Sequence, residues 1–202
     1  DNPFKGDFDI PALRKLIAEK RDRIPFLRIE TGTNLIGGQP ISMKNIKEVC
    51  ALCRENGIRT VIDASLMQDN LYFIKVREPE YKDVPLKDIM HELADISNII
   101  YFSARKLGFS RGGAIITKHE NIYREMMEFI PLYEGFLTYG GMEVRSMEAM
   151  AQGLYESLDM EIISQGPLFI EYLVKELDDY GVPMVKPAGG LGAHINASAF
   201  LP

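Results

Sequence analysis

Polar residues follow three predicted strands of the chain, and their types suit cofactor chemistry. Asn34 comes after the first strand, Asp63 and Ser65 after the second, and Ser103 and Lys106 after the third. In open parallel sheets, ligands lie at the carboxyl ends of the strands. Pyridoxal phosphate needs a lysine amine to form a Schiff base and a carboxylate to keep its pyridine nitrogen protonated. Asp63 and Lys106 are therefore the candidate pair, and Ser103 is a candidate phosphate ligand.

These residues also have ordinary structural interpretations. A strand-end Asp is often a cap or turn residue, and a single Lys is usually a solvated surface charge. The sequence has no GxGxxG opening a helix after a strand, and no Walker, HExxH or GxSxG motif. Its three histidines, His91, His119 and His194, show no partner spacing. We predict that they are caps or surface residues.

The two cysteines, Cys50 and Cys53, form a CxxC pattern, which can be a redox pair or half of a zinc site. Together with Ile46 and Val49 they fall at i, i+3, i+4 and i+7, the apolar stripe of a helix. No second CxxC or paired His completes a metal site. We therefore predict that both thiols pack in the core and that no metal is bound. Two free thiols also suit a reducing cytoplasm, where we expect the protein to be located.

Composition limits the class of protein. The chain has 202 residues, 46% of them hydrophobic and 26% charged, with a net charge of −6. These values are ordinary for a globular domain and exclude a disordered chain or a coiled-coil rod. The acidic balance argues against binding to nucleic acid, and no apolar run is long enough to cross a membrane. The chain begins without Met and ends after an apolar stretch, so we expect a segment of a longer protein whose site is incomplete.

Periodicity predicts alternating strands and helices, and Asp9 and Ser42 are the predicted N-caps of the first two helices. The predicted strands are 26–30, 58–63, 98–103 and 113–117. The predicted helices are 9–20, 43–56, 85–94, 120–129 and a long helical stretch over 142–180. This alternation is typical of a parallel sheet with helices on its faces. Further strands predicted at 182–187 and 193–200 would open a small C-terminal domain, which gives a division into residues 1–158 and 159–202.

Several short motifs follow one another in a fixed order. Residues 34–43 read Asn-Leu-Ile-Gly-Gly-Gln-Pro-Ile-Ser-Met, residues 63–65 Asp-Ala-Ser and residues 69–74 Asp-Asn-Leu-Tyr-Phe-Ile. They are followed by Ser-Ala-Arg-Lys at 103–106, Tyr-Glu-Gly at 133–135, Tyr-Gly-Gly at 139–141 and Met-Glu-Ala-Met-Ala at 147–151. In order and spacing these motifs resemble those of the β-eliminating lyases, the family of tryptophanase and tyrosine phenol-lyase. The resemblance covers nearly all of this chain and a middle part of such an enzyme.

The resemblance implies a fold-type-I pyridoxal-phosphate lyase, which splits an aromatic amino acid into phenol or indole, pyruvate and ammonia. It implies an α/β fold: the three-layer, mainly parallel sheet of the large domain, plus the start of a small C-terminal α/β domain. By position, Lys106 would be the Schiff-base lysine and would take part in proton transfer. Asp63 would pair with the pyridinium nitrogen, and Ser103 would hold the phosphate. Asn34 would lie beside the cofactor's phenolic oxygen and the substrate carboxylate.

Other positions add to the implied site or depart from the family pattern. Ser65 belongs to the implied cofactor-binding set, and Arg105 replaces a lysine that neighbours the Schiff-base lysine. Arg keeps the charge there but not the geometry. Leu66 stands where the family has an arginine that approaches the cofactor. Arg111 stands near the implied monovalent-cation site, where a guanidinium would repel K⁺ or replace it, so cation dependence stays open.

The implied partners are an aromatic amino acid and further copies of the chain, as a homotetramer or a dimer. No nucleic acid and no membrane are expected. Two alternatives stay open from the sequence. One is another fold-type-I activity, an aminotransferase or a decarboxylase. The other is a non-catalytic relative, which Leu66 and Arg111 favour and which the presence of both Asp63 and Lys106 opposes.

Overall fold

A four-stranded sheet forms the centre of the molecule, as seen in a computed structural model that describes residues 2–136 and 141–201. The strands lie in the order β1-β2-β3-β4. Their bounds are β1 Phe26–Glu30, β2 Arg59–Asp63, β3 Ile99–Ser103 and β4 Gly113–Ile116. The pairs β1–β2 and β2–β3 are parallel, and β4 runs antiparallel to β3. The predicted α/β class with a mainly parallel sheet is confirmed.

Helices connect and flank these strands. Their bounds are α1 Ile10–Lys20, α2 Met43–Glu55, α3 Met67–Arg77, α4 Leu86–Ile96, α5 Glu120–Met127, α6 Ile130–Tyr133, α7 Val144–Glu156, α8 Met160–Ile163, α9 Gln165–Asp179 and α10 Ala197–Phe200. Two N-caps expected from the sequence are formed. The Asp9 carboxylate accepts from the Ala12 amide at 3.0 Å, and the Ser42 hydroxyl accepts from the Asn45 amide at 3.1 Å. No helix of the described residues has the length and hydropathy needed to cross a membrane.

The core lies against one face of the sheet. Ile29, Ile62 and Ile100 are paired across the three parallel strands and are buried. The α2 thiols of Cys50 and Cys53 are free and buried in the same cluster, which confirms the predicted core packing. Burial raises the pKa of the Cys50 thiol to about 11, so this thiol stays protonated and unreactive at neutral pH.

The other face of the sheet is more open. It carries Arg28 of β1, Val61 and Asp63 of β2, and Tyr101 of β3, since alternate residues of a strand point to opposite faces. Val61, Asp63 and Tyr101 are half-buried and Arg28 is exposed. Polar side chains can therefore approach one another on this face without entering the apolar core.

The sequence pattern did not predict α3. Every residue from Met67 to Ile74 is buried, so the helix has no exposed stripe and no amphipathic period to detect. It lies directly after the end of β2 and packs against α8 and α9. The Asp-Asn-Leu-Tyr-Phe-Ile motif at 69–74 is thus part of a buried helix.

The C-terminal predictions need correction. The long helical stretch over 142–180 is divided into α7, α8 and α9, because Ser157 ends one helix and Asp159 caps the next with a bond from the Glu161 amide. The strands predicted at 182–187 and 193–200 are wrong. Only one antiparallel bridge, Met184 to Ile195, joins these segments within the described residues, and 197–200 is the short helix α10. Pro183 and Pro187 lack the amide that a longer ladder would need.

A second, smaller apolar cluster contains Val174, Met184 and Ala188. The division after residue 158 stays a prediction. The three histidines are exposed, as predicted, and His119 lies at the N-cap position of α5. Tyr139 and Gly140 of the Tyr-Gly-Gly motif lie outside the described residues.

Candidate active site

A cleft of about 290 Å³ opens at the carboxyl ends of β1 and β2. Four residues predicted from the sequence, Asn34, Asp63, Ser65 and Lys106, line it. The remaining lining residues are Arg28, Glu30, Thr31, Gly32, Leu35 and Leu66. The fold therefore brings together the four predicted residues, which span 72 positions from Asn34 to Lys106, at the edge of the sheet where ligands of parallel sheets bind.

A larger cleft of about 540 Å³ lies at the opposite, amino end of β2 and β3. Cys50, Arg54, Thr60 and His119 are among its lining residues, and it contains none of the predicted site residues. Size alone does not identify a reactive site, and the chemistry-bearing groups meet in the smaller cleft. We therefore place the candidate active site at the carboxyl ends of the strands.

Asp63 is held by hydrogen bonds from two sides. The Tyr101 hydroxyl donates to Oδ2 at 2.7 Å, and the Ser65 amide donates to Oδ1 at 3.1 Å. The Arg28 guanidinium lies 3.8 Å from Oδ2. Burial raises the pKa of Asp63, but the hydrogen bonds from Ser65 and Tyr101 and the charge of Arg28 outweigh it, so the pKa is lower than usual. The carboxylate is consequently ionised at neutral pH.

Lys106 lies in a turn that follows β3. Its amide and that of Leu107 both donate to the carbonyl of Ser103 at 3.1 Å, which folds the chain back after the strand. The Lys106 side chain is half-buried, and its ammonium has no hydrogen bond or ion pair within residues 2–136 and 141–201. The amine is therefore positioned in the cleft without being neutralised by a carboxylate.

The ends of β2 and β3 are tied together by Ser65. Its hydroxyl oxygen accepts from the Ser103 amide at 3.2 Å. Behind the turn, Gly153 of α7 packs directly on the Gly108 carbonyl, with no space for a side chain. This close contact fixes the turn that carries Lys106 from the side opposite to the strand.

The loop that carries Asn34 is anchored at both ends. The Asn34 amide donates to Glu30 Oε1 at 3.1 Å. The carbonyl of Gly37 accepts from the amides of Leu191 and Gly192 at 3.0 and 3.2 Å, and that of Gly38 accepts from Gly190 at 3.1 Å. The Gly37-Gly38 pair therefore serves as a backbone docking surface for the segment 190–192. Both glycines have left-handed φ values, which other residues rarely adopt.

Other predicted positions lie at the margin of the cleft or outside it. Arg105 and Arg111 are exposed, and neither lines the cleft. Ser103 is half-buried and is not among the residues that line the cleft. Its amide contacts Ser65, which does line it. Leu66 is 4% exposed and fills the space beside Gly32, where a Cβ would lie 2.8 Å from the Leu66 Cβ. An apolar side chain thus occupies the wall of the cleft at this position.

Sequence reasoning missed Arg28, Glu30 and Tyr101. They contact Asp63 or its partners because the register places Glu30, Asp63 and Tyr101 side by side on adjacent strands. Arg28 lies two residues before Glu30 and therefore on the same face. Charged residues in the predicted strand 26–30 were the available signal, but the strand register that decides their neighbours is a tertiary property.

A family model described as β-eliminating lyase matches residues 1–199. Tyrosine phenol-lyase of Pasteurella multocida is 42% identical over 204 residues, which is all of this chain and 44% of that protein. Tyrosine phenol-lyase of Lacrimispora saccharolytica is 42% identical over 200 residues, covering 98% of this chain and 43% of the relative. The chain thus spans less than half the length of these curated relatives.

Solved structures show the same fold. A candidate aromatic amino acid β-eliminating lyase/threonine aldolase from Exiguobacterium superposes with a TM-score of 0.62 at 20% identity, over 82% of this chain and 42% of that one. Serine palmitoyltransferase of Sphingomonas wittichii gives a TM-score of 0.53 at 12% identity, over 80% of this chain and 37% of its own. The architecture is that of the fold-type-I pyridoxal-phosphate enzymes. From the family match over 199 residues and the identity to its curated relatives, the chain belongs to the β-eliminating lyase family.

Proposed function

We propose that the chain is the cofactor-binding part of a pyridoxal-phosphate-dependent lyase that β-eliminates tyrosine or tryptophan. The products would be phenol or indole, pyruvate and ammonia. The observation that supports this most directly is the cleft shared by an ionised Asp63 and by Lys106, whose amine has no ion pair in the described part of the chain. The relatives named tyrosine phenol-lyase support the aromatic substrate.

The donor groups of the cleft fit this cofactor. Lys106 offers an amine that no carboxylate neutralises among the described residues, and Asp63 offers a carboxylate that stays charged. The Ser65 hydroxyl accepts from the Ser103 amide and helps to hold the Asp63 carboxylate, so it supports the group that would meet the ring nitrogen. Amine and carboxylate are the groups that this cofactor's aldehyde and ring nitrogen require.

Each residue has a separate task in the proposed reaction. Lys106 Nζ would hold the cofactor and, once the substrate amine displaces it, would accept the proton of the substrate α-carbon. An Asp63 carboxylate oxygen would hold the proton of the pyridine nitrogen in place. Asn34, exposed at the mouth of the cleft, would orient the substrate carboxylate through its amide. The bound cofactor would supply an electron sink for the negative charge that develops on the substrate.

The full-length protein would complete the site. The curated relatives are more than twice as long as the aligned region, so we propose that further ligands of the cofactor phosphate and the substrate come from outside this chain. A homo-oligomer, a cytoplasmic location and the dependence on a monovalent cation stay predictions.

The test is an assay of the full-length protein with tyrosine and with tryptophan in the presence of pyridoxal phosphate. We expect pyruvate together with phenol or indole from at least one of them. Lys106→Ala should abolish the reaction. Lys118→Ala should leave it unchanged, because Lys118 is exposed and paired with Asp95 away from the cleft. Formation of the aromatic keto acid instead of pyruvate would show an aminotransferase, and no product from either amino acid would contradict the proposal.

A further inference from the structure

We propose that Tyr101 is a positioning residue, which orients the Asp63 carboxylate toward the pyridine nitrogen of the cofactor. The inference rests on the proposed function and adds a residue to which neither the family motifs nor the sequence pattern assigns a role. Tyr101 is paired with Asp63 in the register of β2 and β3, so both side chains leave the sheet on the same face. Its hydroxyl does not line the cleft and acts only through Asp63.

The hydrogen bond has the geometry of a strong one. The Tyr101 Oη to Asp63 Oδ2 distance of 2.7 Å lies within the range of charge-assisted bonds from a hydroxyl to a carboxylate, about 2.5–2.7 Å. The Ser65 amide occupies Oδ1 from the opposite direction at 3.1 Å. A carboxylate accepts about four hydrogen bonds, so a free acceptor direction remains toward the cleft that Asp63 lines. Because both oxygens are held, the carboxylate keeps one orientation relative to the cleft.

Arg28 gives the hydroxyl its direction. Its Nη1 donates to Tyr101 Oη at 3.4 Å, so the phenol oxygen accepts from the guanidinium and donates its proton to Asp63. Nη2 donates to Glu30 Oε2 at 3.3 Å, which holds the guanidinium in this place. Because Glu30 Oε1 also binds the Asn34 amide, the network joins Asp63 to the loop at the mouth of the cleft.

Electrostatics agrees with this assignment of donor and acceptor. Burial and the neighbouring Asp63 carboxylate raise the pKa of Tyr101, so the phenol keeps its proton at neutral pH. The charged groups facing Asp63 are Arg28 and Glu30 from β1 and Lys106 from the turn after β3. The Ser65 contact comes from the backbone and the hydroxyl and carries no charge. The Tyr101 hydroxyl and the Arg28 guanidinium favour the ionised carboxylate, and Arg28 is also paired with Glu30.

The experiment uses the full-length apoprotein and measures the Kd for pyridoxal phosphate by equilibrium dialysis from pH 3.5 to pH 8. Tyr101→Phe keeps the ring and removes the hydroxyl. Because the pKa of Asp63 is lower than usual, we expect the pH below which affinity falls to move up by about one unit, so that the loss of affinity relative to the unmodified protein grows below pH 5 and approaches about tenfold, since a charge-assisted hydrogen bond contributes that much. The control is Tyr81→Phe, whose hydroxyl donates to Glu92 at 3.0 Å outside the cleft, and it should match the unmodified protein at every pH.

The outcomes separate this inference from the proposed function. A Tyr101→Phe protein that binds the cofactor with unchanged Kd and unchanged pH dependence would overturn the positioning role. A loss of affinity that is equal at every pH would also overturn it, because a merely structural role would give that result. If the unmodified protein binds no pyridoxal phosphate at any pH, the proposed function itself fails and the inference fails with it.

Discussion

Asp69 is a buried acid whose replacement by Asn should stabilise the protein at neutral pH. It is 8% exposed and is the third residue of α3. A Cβ built on Gly190 would lie 2.7 Å from the Asp69 Cβ, so the side chain is covered by the segment that docks on Gly37 and Gly38. Within the described part of the chain its carboxylate has no hydrogen bond and no ion pair. Burial accordingly raises its pKa to about 7.

The size and sign of the effect follow from this pKa. In the unfolded chain the pKa of Asp69 is about 3.9. Below that pH the carboxyl is protonated in both states and destabilises neither. Between about pH 4 and pH 7 the folded state retains a proton that the unfolded state has released, so stability falls as the pH rises. Above pH 7 the buried charge lowers the free energy of unfolding by about 4 kcal/mol, because the pKa differs by roughly three units between the folded and unfolded states. The favourable interaction of the carboxylate with the helix dipole reduces this cost by about 0.5 kcal/mol.

Asp69→Asn has nearly the same shape and no charge. At pH 8 the variant should therefore resist unfolding better than the unmodified protein by about 2–4 kcal/mol, and at pH 4 the two should be nearly equal. The measurement is urea unfolding of the full-length apoprotein, followed by circular dichroism at half-unit steps from pH 4 to pH 8.5. The stability difference should grow through this range and level off above pH 7.

The matched control is Asp88→Asn. Asp88 is also the third residue of its helix, α4, but it is exposed. Its replacement should lower stability by only about 0.3–1 kcal/mol, through the lost interaction with the helix dipole. If the stability difference between Asp69→Asn and the unmodified protein did not change between pH 4 and pH 8, the carboxyl would be ionised in the folded protein. The burial argument would then be refuted.

Three further results are expected. Borohydride reduction of the full-length protein loaded with pyridoxal phosphate should fix the label on Lys106, and peptide mapping to another lysine would show that the site is misassigned. Asp63→Asn should retain measurable cofactor binding while lowering the elimination rate by several orders of magnitude in a pyruvate assay, and near-normal turnover would exclude its pairing with the ring nitrogen. Gly153→Ala should lower the free energy of unfolding in urea by about 1–2 kcal/mol, because its Cβ would press on the Gly108 carbonyl. The control Gly166→Ala should raise it by about 0.5–1 kcal/mol, because the nearest atom to its Cβ would be 3.7 Å away. Equal effects of the two substitutions would contradict the close packing of α7.

Features that depend on neighbouring residues along the chain could be predicted before the fold was known. Asp9 and Ser42 predict their N-caps because the capping bond spans only three residues. The stripe of Cys50 and Cys53 predicts core packing because helical spacing alone puts them on one face. Asp63 and Lys106 were predicted to meet because the carboxyl ends of parallel strands lie at one edge of a sheet.

Features that depend on contacts between distant segments could not be predicted in this way. The helix α3 gives no amphipathic signal because its first eight residues, 67–74, are all buried. The Gly37-Gly38 pair proves to be a docking surface only once segment 190–192 lies on it. The partners of Asp63 depend on strand register, which sets Tyr101 beside it and brings Arg28 within 3.8 Å. A shift of one residue would turn those side chains to the opposite face, and no local pattern in the sequence fixes that choice.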